Sequence, residues 1–286
     1  MDFGLGTPRA TAFDAAVAAL RTWQSDDAPM QLHPGDLGWY RRFGAETAAA
    51  DVRTWSRDGR ILAVGLLDGP DLLRVTTAPE ARDDQALARR IAADLADPER
   101  GVLPAGSASV EAPAGTLHEV LGEEGWAAGE PWTPLQRDLT DPVEDAGVRI
   151  EVAGPGLAEE RAAVHRAAFE GSKFSAEHWL AMAAGTAYAD ARCLLAYDDA
   201  GNAVAAVTVW AAGPGRPGLI EPMGVHEDHR GRGYGKAICV AGADALRGLG
   251  SSSAIVCTPS SLTGAVATYA SAGFRPLPER LDRCRE

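Results

Sequence analysis

The sequence predicts an α/β (α+β) fold built as two lobes of similar length. Three observations carry this expectation. Strand-like and helix-like patterns of apolar residues follow one another in mixed order through both halves. An acidic stretch with a Pro and a Gly, Thr140–Gly147 (TDPVEDAG), lies between two strand-like segments near the middle. A spacing also recurs: 44 residues separate Arg82 from Trp126, and 44 separate Arg230 from Phe274. A chain of 286 residues is long enough for two domains, each with a core that needs no disulfide or metal. The expected division is 1–139, a linker at 140–147, and 148–286.

In the N-terminal half, Ala10–Trp23 reads as a helix, Ile61–Leu67 and Asp71–Thr77 as strands, and Ala86–Leu95 as a helix. Trp132–Leu139 and Val148–Val152 read as strands on either side of the linker. Glu159–Phe169 and Ala176–Ala184 carry apolar residues at helical spacing. Cys193–Asp199, the turn Ala200-Gly201-Asn202 and Ala203–Ala211 form an expected hairpin. Leu219–Val225 is a strand broken by Pro222, and Lys236–Leu249 a helix that stops at Gly250. Ser253–Thr258 is a strand, and Leu262–Ala272 a helix closed by Gly273.

Composition excludes several classes. Hydrophobic residues make up 46% and charged residues 23%, which is ordinary for a globular protein and excludes a disordered chain. Lys plus Arg number 27 against 40 Asp plus Glu, a net charge of -13. So acidic a body repels phosphate backbones and argues against nucleic acid, while attracting a cationic substrate. It leaves room for a local basic pocket. The longest nearly apolar run, Ala203–Ala212, is far short of the roughly 20 residues that span a bilayer. No basic stretch followed by an apolar one opens the chain, so a cytoplasmic monomer or homodimer is expected. The four cysteines form no CxxC pair and read as reduced thiols. The six histidines form no HExxH pattern, and His226 and His229 read as solvated, so no metal is expected.

The sharpest feature is HRGRGYGKAI, His229 to Ile238, between a strand and a helix. Gly231, Gly233 and Gly235 alternate, and Arg230, Arg232 and Lys236 surround them. Glycines let backbone N–H groups converge on a ligand, and the following helix aims its positive end at the same place. Basic side chains complete a site for a phosphorylated ligand; the alternative is a glycine-rich surface turn with solvated arginines. A Walker loop fails on spacing, because Arg230 and Ala237 stand where it needs Gly and Ser/Thr. A dinucleotide fingerprint fails because its third glycine falls on Lys236.

Arg230-Gly231-Arg232-Gly233-Tyr234-Gly235 resembles the R/Q-x-x-G-x-G/A pyrophosphate loop of the GNAT superfamily, the acetyl-CoA-dependent N-acetyltransferases. Ile220–Val225 is similar to that family's fourth strand, and Ala265–Phe274 to its A-x-x-x-Y-x-x-x-G-F segment. The resemblance covers Val148 to about Pro276 and implies a GNAT fold with acetyl-CoA as cosubstrate. It implies that Gly231–Lys236 hold the pyrophosphate. It also implies that Met223, Gly224 and Val225 present the strand that bonds the pantetheine arm and acetyl carbonyl, and that Tyr269 protonates the departing thiolate. The family often has Asn seven residues before this Tyr; Leu262 stands there, with Ser260, Ser261 or Thr263 as substitutes.

Chemistry asks for the same parts. An ammonium must lose a proton before it attacks, and Glu221 is placed to take it, directly or through water. Glu221 also reads as a strand-edge carboxylate, and Tyr269 as a core aromatic. Cys257, at the end of a strand, reads as a packing residue or the acceptor in an acyl-enzyme route.

Aligning Arg82 with Arg230 brings Gly125-Trp126 onto Gly273-Phe274 without a gap, which predicts two tandem GNAT-like lobes. The first is degenerate: Asp83, Asp84, Gln85, Ala86 and Leu87 replace Gly231–Gly235, and Leu121 replaces Tyr269. It is expected to bind no CoA and to pack against or roof the acceptor pocket. The sequence therefore points to an N-acetyltransferase acting on a primary amine of a small molecule. The alternatives are a non-catalytic acyl-CoA-binding sensor or a protein lysine acetyltransferase. Mycothiol synthase is similar in its tandem arrangement, but the Glu-Pro-Met-Gly strand is not characteristic of it. Phe169, Ser172 and Phe174 are candidate acceptor contacts.

Overall fold

A computed structural model describes residues 3–286. In chain order its elements are β1 (Gly4–Gly6), α1 (Phe13–Trp23), α2 (Pro34–Tyr40), α3 (Ala45–Ala50), β2 (Val52–Arg57), β3 (Arg60–Leu67), β4 (Leu72–Thr77), α4 (Gln85–Ala96), β5 (Ala108–Glu111), α5 (Thr116–Glu123) and β6 (Ala127–Asp138). There follow β7 (Arg149–Val152), α6 (Ala158–Ala168), α7 (Ala176–Ala183), β8 (Ala191–Tyr197), β9 (Ala203–Trp210), β10 (Gly218–Val225), α8 (Tyr234–Gly248), β11 (Ser253–Pro259), α9 (Thr263–Ser271), β12 (Arg275–Pro276) and β13 (Arg280–Arg285).

The chain divides into two units. One takes the residues up to His33, Glu46–Trp132 and Glu279–Glu286; the other takes Pro34–Ala45 and Thr133–Pro278. These boundaries differ from the expected 1–139, 140–147 and 148–286, and packing gives the reason. Gly35 and Gly38 lie one helical turn apart on α2 and let its backbone rest on Trp210; a Cβ at either would come within 2.5 Å of that indole. In the acidic stretch 140–147, Val143 and Ala146 pack against the core of the second unit, while the residues around them are exposed and outside any helix or strand. The last strand belongs to the first unit, where it lies between β5 and β6.

The first unit's sheet has the order β1-β2-β3-β4-β5-β13-β6. Its pairs are antiparallel except β4 with β5. Glu111 on β5 accepts from Arg74 Nε at 2.9 Å and pairs with Arg280 Nη1 at 2.8 Å, which ties β4, β5 and β13 together. Burial opposes the Glu111 charge, but the two guanidinium groups outweigh it and hold the carboxyl at about 2. A carboxyl depressed in the folded state stabilises the fold above its ordinary 4.5, and that contribution fades as pH falls toward 2. Glu111→Ala removes the carboxylate that both half-buried guanidinium groups share and is expected to cost about 3 kcal/mol. Thermal melts at pH 7 should show the loss, and the gap to wild type should narrow in acid. Equal melting temperatures at pH 7 would contradict this.

The second unit's sheet has the order β6-β11-β10-β9-β8-β7. Strands β7 to β10 are antiparallel neighbours, and β10 pairs with β11 in parallel. Its core gathers Val207, Val209, Ile220, Ile238, Leu246, Val256 and Phe274. Helix α8 packs this way because its small residues Ala237, Ala241 and Gly242 bring its backbone close to the sheet. Each buried Ile or Leu in such a core is worth about 1.5–3 kcal/mol.

Elements of the first unit recur in the second at a nearly fixed offset. The 3-10 turn Pro79–Ala81 matches Glu227–His229, α5 matches α9, and the parallel pair β4/β5 matches β10/β11. Leu121 and Trp126 are buried at the positions of Tyr269 and Phe274.

Candidate active site

Strand β10 loses regular pairing where the predicted site residues lie. Ile220 faces Val209 and Met223 faces Val207, so Glu221 and Pro222 together stand opposite the single Thr208, a β-bulge. The Glu221–Pro222 peptide is cis, and Trp210 Nε1 donates to the Glu221 carbonyl at 2.8 Å. On the other edge, β10 pairs with β11 only at Gly218–Ala254 and Leu219–Ile255. Beyond Leu219 the two parallel strands are no longer registered.

The hydrogen-bonding edge of Met223 and Val225 follows from alternation. The His226 N–H donates to Val204 O at 2.8 Å, toward β9. Backbone polar groups on a strand alternate between edges, so Gly224 also addresses β9. The N–H and C=O groups of Met223 and Val225 then face the β11 side, where pairing has stopped. Gly224 has no Cβ because α6 ends against it; an added Cβ would lie 2.6 Å from Ala168 Cβ and 2.8 Å from Phe169 Cε2.

After Val225 come one 3-10 turn and then Arg230-Gly231-Arg232-Gly233 leading into α8. Gly231 and Gly233 have φ of 74° and 89°, the left-handed region that side chains disfavour. Gly233 is the N-cap of α8 and offers no side-chain cap. The amides of Tyr234, Gly235 and Lys236 therefore point out of the helix with no acceptor inside it, at its positive end. Gly235 lets α8 approach α9, since a Cβ there would lie 2.9 Å from Thr268 Cγ2. Arg230 donates through Nη2 to Ala168 O at 2.8 Å, while Arg232 and Lys236 are exposed beside the turn.

The matching helix of the first unit is closed from within. Asp84 caps α4, with Oδ1 accepting from the Ala86 and Leu87 amides at 3.0 Å each. Its other oxygen meets Arg57 Nη1 at 3.4 Å. Amides of the kind left bare at the start of α8 are thus satisfied by a side chain in α4.

Tyr269 on α9 is 6% exposed, with its ring edge-on to Phe274 at 5.9 Å between centroids. Burial first, then the neighbouring Cys239, Glu221 and Cys257, push its phenol up, so the hydroxyl keeps its proton throughout ordinary pH. Glu221 is half-buried on β10 and near enough to bear on that hydroxyl. Met223 and Val225 pack against the core that holds Tyr269, and the Gly231–Lys236 turn follows Val225 along the chain after one 3-10 turn. Cys239 is buried, and burial holds its thiol up at about 12, which makes it a poor nucleophile. Leu262 is 53% exposed at the N-cap of α9 and supplies no cap; of its possible substitutes, Ser260 is hydrogen-bonded to Thr133 at 2.7 Å.

Residues 158–274 match the acetyltransferase (GNAT) family. The chain carries a GNAT acetyltransferase domain. That match takes in α6 through α9 and every candidate site residue. A comparison with curated proteins gives no match. Among solved structures, a GCN5-related N-acetyltransferase from Sphaerobacter thermophilus is similar over 99% of this chain and 95% of that one, with 21% identity and a TM-score of 0.59. A GNAT-family acetyltransferase from Colwellia psychrerythraea is similar over 100% and 99%, with 15% identity and a TM-score of 0.61. A tandem GNAT protein from the clavulanic acid biosynthesis pathway is similar over 100% and 98%, with 15% identity and a TM-score of 0.58. These likenesses extend beyond the GNAT domain to the first unit, so the fold is that of a tandem GNAT protein. Among the described residues, no helix is long and apolar enough to cross a membrane, and no group of three or more potential ligands is placed to hold a metal ion.

Two parts of the second unit leave little trace in the sequence. One is α2 with the 3-10 turn Arg41–Phe43, contributed from the N-terminal half; the Gly35/Gly38 spacing was its only signal. The other is a buried polar cluster. Arg161 is 1% exposed and donates through Nη2 to Thr208 Oγ1 at 3.3 Å, while its Nε and Nη1 have no hydrogen-bond partner. Nothing in the helical pattern of Glu159–Phe169 distinguishes a buried Arg from a solvated one.

Proposed function

We propose that the protein transfers an acetyl group from acetyl-CoA to a primary amine of a small molecule, in the second lobe alone, by direct attack in a ternary complex. The observation that carries this reading is the parting of β10 from β11 after Leu219, ending on a bare helix N-terminus. An extended arm with a diphosphate at one end fits that shape as an added strand.

Acetyl-CoA supplies the activated acyl group. The amides of Gly231–Lys236, with Arg230, Arg232 and Lys236, hold the pyrophosphate. The backbone of Met223 and Val225 bonds the pantetheine arm and polarises the acetyl carbonyl. Gly224 keeps the strand clear for α6. Glu221 takes the proton from the attacking amine, directly or through water, and Tyr269 donates to the departing sulfur. Holding amine and thioester together supplies much of the remaining acceleration. The first lobe, with Asp84 plugging its helix, binds no CoA.

Thiol release from acetyl-CoA across a panel of amines, with product mass, tests this reading. Glu221→Gln is expected to lower kcat/KM roughly 100-fold or more near neutral pH. The deficit should shrink as pH approaches the amine's own pKa, where solvent deprotonates it. Tight CoA binding with no turnover on any amine would identify a non-catalytic sensor instead.

A further inference from the structure

A pocket of about 200 Å³ opens in the second unit, lined by Trp39, Arg42, Phe43, His165, Ser172, Lys173, Phe174 and His178. It adjoins the candidate site: the His165 ring lies 4.6 Å from that of Phe169, which in turn rests on Gly224. Its walls are flat rings, with Trp39 stacked on Phe174 at 5.1 Å. Its charge runs against that of the whole protein, because none of the eight lining residues is acidic and two are cations. Arg42 is laid over the rings of Trp39 and Phe43 at 4.3 and 4.2 Å. Lys173 is exposed at the mouth and joins no ion pair among the described residues. Behind Phe174 lies the buried Arg161, 5.6 Å from that ring, with two donors unsatisfied and Thr208 as its hydrogen-bond partner.

Burial, and then Arg161, Arg42 and Arg166, hold the His165 imidazole down at about 3, so it is neutral and adds no charge. Arg166 is already committed to Glu159 Oε1 at 2.9 Å and to Phe174 O at 2.8 Å. Arg42 donates through Nη1 to Trp39 O at 3.0 Å, so the cationic side chains at the pocket are Arg42 and Lys173, with Arg161 behind. A cationic ligand would be repelled here, whatever the net charge of -13 does at long range. An anion gains from the guanidinium and ammonium groups, and the apolar ring edges around them exclude water from the contact.

We propose that this pocket seats an anionic group, a carboxylate or a phosphate, borne by the acceptor at the end away from its amine. The acceptor is then a zwitterionic small molecule, not a polycation. This rests on the acetyl-transfer reading for the word acceptor, but the binding it predicts does not depend on turnover.

Calorimetric titration of the full chain, without acetyl-CoA, tests it with four probes of one shape: benzoate, phenyl phosphate, the neutral benzamide and the cationic benzamidine. Benzoate or phenyl phosphate is expected to bind at least about tenfold more tightly than benzamide, one decade being about 1.4 kcal/mol. Benzamidine should bind more weakly than benzamide. Lys173→Glu, at an exposed position where folding is not at risk, should erase the preference, and Lys173→Gln should reduce it. Equal binding of benzoate, phenyl phosphate and benzamide, tighter binding of benzamidine, or an anion preference unmoved by Lys173→Glu would overturn the proposal. A parallel titration with acetyl-CoA separates the two failures. Acetyl-CoA binding without anion preference overturns the pocket alone. Anion binding without acetyl-CoA binding overturns acetyl transfer, and with it the pocket's assignment to an acceptor.

Discussion

Gly233→Val should weaken acetyl-CoA binding by about 100-fold, or about 2.8 kcal/mol at 1.4 kcal/mol per decade. Gly233 holds φ at 89° as the N-cap of α8. A β-branched residue held there costs on the order of 1–3 kcal/mol, and relaxing the strain rotates the amides that would face the diphosphate. Position 233 has no protein atom within 4 Å of an added Cβ beyond its immediate neighbours. The loss therefore comes from backbone direction and not from a clash in the core, and the melting temperature should fall only modestly. Calorimetry with acetyl-CoA checks the first quantity and a thermal melt the second. Unchanged acetyl-CoA affinity would remove the turn from the binding site.

Tyr269→Phe is the second large effect. Phe keeps the edge-on contact with Phe274 and deletes only the hydroxyl, so the fold should be indifferent to it. The rate should not be: kcat is expected to fall roughly 100- to 1,000-fold, the scale of a positioned proton donor, with acetyl-CoA affinity within about twofold of wild type. Because burial raises the Tyr269 phenol above its ordinary 10.0, wild type should show no loss of rate from tyrosine ionisation up to that pH. If Tyr269 is only a core ring, Phe serves as well and steady-state kinetics will show no change.

The two lobes differ in how much of them could be read from the sequence. The Arg230–Lys236 turn was legible because glycine alternation, cations and flanking periodicity all report the same local demand, an exposed run of amides. The strand ahead of it was legible as a strand, but its bulge at Glu221 and Pro222 was not, since bulging depends on what β9 places opposite. The repeat was legible through spacing alone, and the structure supplies the physical difference between its copies: Asp84 caps α4, whereas Gly233 leaves α8 bare. Pro34–Phe43 was not legible. Its attachment to the second unit rests on Gly35 and Gly38 meeting Trp210, a contact between residues more than 170 positions apart that no local pattern encodes. The acidic stretch 140–147 was legible as an irregular segment, but not the part of it that packs. Pro, Gly and carboxylates signal a turn, but Val143 and Ala146 within it still find an apolar surface to cover.

Crystals grown with saturating acetyl-CoA test the central claim most directly. The account predicts one molecule per chain, with its diphosphate on the amides of Gly231–Lys236, its arm along Met223 and Val225, and nothing at Asp83–Leu87. A ligand at Asp83–Leu87, or a Gly231–Lys236 turn that stays empty at saturation, would contradict it.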